Sequence, residues 1–82
     1  MYQTIHERIE VIGVYKQAQF KPVKFQWQQK IMLIDQITLV SDFKDGQVKK
    51  RTYSVQVGVD LYRLEFNRET EVWWLEEVWV DG

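Results

Sequence analysis

The sequence contains no cysteine, one proline (Pro22) and one histidine (His6). Without cysteine there can be no disulfide, no thiolate metal site and no thiol nucleophile. A lone imidazole leaves only carboxylates to complete a metal site, a poor donor set for zinc. The four glycines are scattered at positions 13, 46, 58 and 82, so there is no glycine-rich phosphate loop. No apolar run approaches the ~20 residues that span a bilayer, so no membrane partner is expected. Residues 1–7 lack a basic stretch followed by an apolar one, so no secretory signal is expected and a cytoplasmic location is the default.

Acid–base machinery is equally sparse. His6 lies beside Glu7 near the terminus with no nucleophile close in sequence. Glu69 and Glu71 fall in a turn-like stretch. Glu76 and Glu77 are neighbours on a strand, where successive side chains point to opposite faces and cannot share a proton. The expectation is a chain that is not an enzyme and carries no catalytic residue, cofactor or metal.

What the sequence does have is aromatic bulk: four Trp, four Tyr and four Phe in 82 residues. Residues 1–82 fit a single domain. A chain this short buries only about 60–65% of its unfolded surface. Large rings, at roughly 150–250 Å² each, fill so small a core efficiently. The net charge of −1 argues against a strongly basic nucleic-acid binder. Charge is nonetheless uneven, since residues 1–54 hold nine Lys/Arg against five Asp/Glu, and residues 55–82 hold two against seven. Either folding interleaves the halves, or the molecule has a basic and an acidic face.

Along the chain, β-branched and aromatic residues alternate with polar ones between short turns. Residues 7–15 form a first strand, whose parity changes at Val11-Ile12 near Gly13, the signature of a bulge or bend. Residues 16–21 read as a polar connection. Pro22 opens a second strand in which Val23, Phe25 and Trp27 alternate with Lys24, Gln26 and Gln28. Gln28-Gln29-Lys30 is a hairpin turn into residues 31–41, the most apolar stretch. In that stretch Met32 and Ile34 share one parity, and Ile37 and Leu39 the other. A single extra residue at Asp35-Gln36 would bring all four to one face and turn Asp35 toward water. Residues 42–46, ending in Asp-Gly, form the clearest turn. Strands over 48–57, 59–66 and 72–80 follow. The expected fold is all-β: a six-stranded antiparallel meander closing into an open barrel or SH3-like roll. Phe25, Trp27, Tyr53, Val55, Leu64, Trp73 and Leu75 are the expected core.

These segments carry a resemblance. Pro22-Val23-Lys24-Phe25-Gln26-Trp27, followed by Met32 and Ile34, is similar to a P-x-x-F-x-W pattern of a family of short uncharacterised bacterial β-domain proteins. Tyr53-Ser54-Val55, Leu61-Tyr62-Arg63-Leu64 and Trp73-Trp74-Leu75 resemble the Y-x-V, L-Y-x-L and W-x-L stretches of the same family. In that family the turn at Gln29 is usually made by glycine. A similar segment closes the inactive Y-family polymerase homologue of bacterial mutagenesis cassettes. The resemblance implies a small β domain with a DNA-repair association and supplies no catalytic residue.

Two binding functions follow as expectations. The terminal strand carries Trp73, Leu75 and Trp79 on one parity and Trp74, Val78 and Val80 on the other. A strand apolar on both faces needs either a partner or a covering segment. Trp74, Val78 and Val80 are therefore candidates for contact with a protein partner or a second copy, unless residues 5–12 fold over them. The alternative is a nucleic-acid-associated module using Lys49, Lys50 and Arg51, with Lys49, Arg51 and Tyr53 on one face of their strand.

Overall fold

In the computed structural model, which describes residues 1–81, seven strands follow in chain order: β1 (Tyr2–Lys16), β2 (Gln19–Trp27), β3 (Lys30–Leu33), β4 (Gln36–Asp45), β5 (Val48–Val57), β6 (Asp60–Asn67) and β7 (Trp73–Trp79). No described residue is helical. The strands form one antiparallel sheet in the order β3-β2-β1-β7-β6-β5-β4. The fold class is as expected, but the stretch read as one third strand is two. It breaks at Ile34-Asp35, where the parity conflict demanded a bend.

That break decides the shape. β3 and β4 are the opposite edges of the sheet, yet only Ile34 and Asp35 join them. A flat seven-stranded sheet would place its edges about 29 Å apart at ~4.8 Å per strand, far beyond the ~10 Å reach of such a link. The sheet must curl until its edges meet at this corner. Ile34 N–H donates to the Val23 carbonyl of β2 (2.9 Å), and Asp35 N–H to the Gln56 carbonyl of β5 (2.8 Å). The two edge strands do not pair with each other, so hydrogen bonds leave the curl open.

The curl wraps one core. Phe25, Val55, Leu64 and Leu75 are fully buried, joined by Ile9, Tyr53, Tyr62, Trp73 and Val78. Met32, Ile34 and Ile37 pack on this core from the corner, while Asp35 is exposed, as the bend predicts. Leu39 departs from expectation. An irregularity between Ile37 and Leu39 turns it outward, and it is 60% exposed. Trp27 is half-buried at the rim, because its indole N–H donates to the Glu7 carboxylate (3.1 Å).

The turns are tighter than composition implied. Residues 16–21 are not a polar connection but the tip of a hairpin, with Gln17 and Ala18 both at positive φ (56° and 62°). Gln28 and Gln29 repeat this arrangement (52° and 64°), so both take a left-handed backbone without being glycine. Residues 42–45 continue β4 rather than turning, and Gly46-Gln47 alone makes the reversal.

Gly13 has a packing role. The β1–β2 register shifts between Ile12 and Gly13, where the parity change pointed. A Cβ at Gly13 would lie 2.2 Å from the Lys21 carbonyl oxygen and 2.5 Å from the Phe20 ring. Gly13→Ala should therefore cost about 1–3 kcal/mol by overpacking, a fall of roughly 5–20 °C in melting temperature at this chain length. Gly46→Ala meets no atom within 4 Å and should cost only its positive φ, about 1–2 kcal/mol. Thermal melts compare the two, and a Gly13→Ala variant as stable as wild type would refute the close packing of Phe20 on β1.

Candidate binding surface

β7 is not an edge strand, because β1 pairs along one side of it and β6 along the other. Nor is it apolar on both faces in the way its parity indicated. Leu64 pairs with Leu75 and Arg63 with Glu77, which leaves Glu76 as an extra residue and reverses every face after it. Val78 is consequently a core residue, 2% exposed, on the opposite side from Trp74. Trp74 points outward and is covered by its own chain. The His6 ring stacks on it at 4.7 Å with an interplanar angle of 7°, and His6 Nδ1 lies 3.1 Å from the Glu76 carboxylate. His6 sits at a second bulge, where β1 places Ile5 and His6 against the single residue Glu76, and it has φ 54°. Val80 is exposed, with its backbone bonded to Met1 (Val80 N–H to the Met1 carbonyl, 2.7 Å). Trp74, Val78 and Val80 thus do not form one surface.

The basic run is divided in the same manner. Arg51 and Tyr53 do share the inner face of β5, with Tyr53 in the core. Arg51 is held by Asp42 at 2.5 Å, a hydrogen bond that raises its already high pKa. Lys50 lies on the outer face between Asp45 (3.0 Å) and Glu65 (3.4 Å), and the Asp45 hydrogen bond raises its pKa. Of the three, only Lys49 makes no ion pair among the described residues.

What the strands do assemble is an open end between two hairpin arms, a feature that sequence reading missed. One arm is formed by β1 and β2 beyond Gly13 and Pro22, the other by β4 and β5 beyond Val40 and Tyr53. β3 covers β2 only from Lys24 to Trp27. Beyond the corner at Ile34, β2 and β4 part and border a cleft of about 910 Å³. Its floor is apolar, from Phe20, Pro22, Ile37, Val40 and Tyr53, and Lys16, Lys21 and the Asp42–Arg51 pair stand at its walls. The Tyr53 hydroxyl donates to the Phe20 carbonyl across the gap at 3.5 Å. Among the described residues the cleft side of β4 has no strand partner. Two exposed apolar residues, Leu39 (60%) and Val40 (50%), lie on that strand. No group of three or more His, Asp or Glu that could hold a metal occurs among the described residues, and no helix there is long and apolar enough to cross a membrane.

Acid should destabilise the fold at two ion pairs, one at this end and one between β6 and β7. The hydrogen bond from Arg51 holds the Asp42 carboxyl below the usual carboxylate range, and Arg63 does the same for Glu77. Both groups titrate lower in the folded than in the unfolded chain. Their stabilisation is fully present above about pH 4.5 and is lost as the pH falls through the folded values. Asp42 is largely exposed, so its share is at most about 1 kcal/mol. Asp42→Asn with Glu77→Gln should lower stability at pH 7 and flatten its decline between pH 5 and about pH 2. Melting curves that fall in parallel for both proteins would refute these pairings.

Comparison of the chain with family models, curated proteins and solved structures yields no match, so the reading of function rests on this geometry.

Proposed function

We propose that this chain is a small, non-catalytic interaction module that binds another polypeptide at the open end between its arms. The observation that carries the proposal is the unpartnered side of β4, a strand of ten residues on which Leu39 and Val40 are exposed. A free strand edge presents a row of backbone donors and acceptors, and another extended chain matches that row directly. A photo-reactive residue at position 40, whose side chain lines the cleft, should crosslink to a polypeptide in the native host. The same probe at position 61, on the outer face of β6 and 40% exposed, should not. Equal crosslinking at both positions, or none at position 40, would overturn the proposal.

A second reading has its own observation. Tyr15 is 80% exposed at the tip of the β1–β2 arm, beside Lys16, and Lys49 and Arg68 at the same open end make no ion pair among the described residues. An exposed ring beside free cations is suited to stacking a base and tracking phosphates, the arrangement a nucleic-acid-associated role in DNA repair would require. If three phosphates are engaged, affinity for a single-stranded oligonucleotide should fall about twentyfold over a fourfold rise in salt. Salt-independent affinity, or no binding at low salt, would remove this reading.

A further inference from the structure

The two strands that border the cleft are not equally able to accept a partner. β2 carries Pro22, which has no N–H to offer. Next to it the ladder to β1 skips from Lys24 to Pro22 and leaves Val23 unpaired. Both features blunt that edge. The first part of β4 has no such protection, because its residues from Leu39 to Ser41 carry neither charge nor proline. Charges come only at Asp42, Lys44 and Asp45, so the uncharged window is three residues long, Leu39–Ser41.

Electrostatics around the window are one-sided. Asp35 is occupied by the Gly58 N–H (2.6 Å) and Asp42 by Arg51. Lys16 and Lys21, on the opposite wall, make no ion pair among the described residues. An occupant meets two free cations and two acids already engaged.

We infer that the cleft takes one extended segment of a partner polypeptide, added antiparallel to β4 along Leu39–Phe43, with alternate apolar side chains on the floor and acidic residues beside Lys16 and Lys21. The inference rests on the polypeptide-binding reading and adds the mode and the chemistry of the partner. Antiparallel pairing is the more stable choice. Five successive antiparallel steps separate β2 from β4 in the sheet order, so these two strands run opposite ways. A segment antiparallel to β4 is therefore parallel to β2, and it contacts that wall through side chains rather than through a ladder.

The test uses the full chain and random peptides displayed on phage. Enriched peptides should alternate apolar residues and carry Asp or Glu at one flank. A synthetic copy of the enriched peptide should slow amide exchange at Leu39–Phe43 and leave β6 unchanged. Lys16→Glu with Lys21→Glu, at exposed positions that should leave folding intact, should weaken that peptide about five- to tenfold. Enriched peptides that protect another strand would overturn the inference while leaving the polypeptide-binding reading standing. Failure to enrich any peptide would overturn both. Protection of β4 that rises with protein concentration alone would mean that a second copy fills the edge, and would overturn the inference as well.

Discussion

The structure depends on a link of two residues. Ile34 and Asp35 are all that separates one edge of the sheet from the other. The link is fastened on both sides, by backbone bonds to β2 and β5 and by the Asp35 carboxylate, which accepts the Gly58 N–H and ties the β5–β6 turn to the corner. Because the edges must meet there, side chains from β2, β5, β6 and β7 converge on one centre, where Phe25, Val55, Leu64 and Leu75 exclude water completely. A sheet of this size held flat would bury one face of each strand against nothing. Curled, it needs no helix to cover it.

Sharp curvature in short strands is obtained by irregularities, and each one changes which side chains face inward. The register slips at Ile12/Gly13, at Ile5-His6, at Glu76 and between Ile37 and Leu39. Each inserts an unpaired residue, increases the local twist and reverses parity downstream. At Gly13 the bend brings Phe20 onto the β1 backbone, so the ring that closes this end of the core can sit only on a glycine. At Glu76 two slips fall side by side, one against each neighbour of β7, and the reversal carries Val78 into the core while Trp79 goes out to 51% exposure. The same curvature that seals the core at the corner forces β2 and β4 apart beyond it. Closure at one end and the cleft at the other are consequences of a single geometry.

This explains which parts of the sequence were legible. The fold class and six of the seven expected core residues could be read because alternation is local, and a strand reports its own inner face. The bend at Asp35 was legible for a further reason. Two adjacent polar residues inside an apolar strand cannot both avoid the core without an extra residue. Glu76-Glu77 poses the identical problem, and the same rule applied there would have moved Val78 inward and dissolved the supposed surface of Trp74, Val78 and Val80. The two-residue turns at Gln17-Ala18 and Gln28-Gln29 were harder to read, because neither carries the glycine or asparagine that positive φ favours. The cleft was not legible at all. It arises from strands 19–23 and 36–42 failing to pair, and non-pairing leaves no mark on either segment alone. Pro22 was the nearest signal. Pro22 does not open β2, which begins at Gln19; inside the strand it blunts one of the two edges that border the gap.

That asymmetry between the two edges favours a binding role for β4. A domain of this size has roughly 4–12 kcal/mol of net stability, and an unpaired edge is a standing risk of uncontrolled association. The chain guards against it nearly everywhere. β7 is paired on both sides, β3 is only four residues long, and β2 carries Pro22. β4 is guarded in its second half by Asp42, Lys44 and Asp45, and Asp42 and Asp45 are further committed to Arg51 and Lys50. Only the window at Leu39–Ser41 is left open, next to an apolar floor. A stretch this short is a poor template for an extended sheet, and in the proposed mode of binding it is wide enough to seat one strand of a partner.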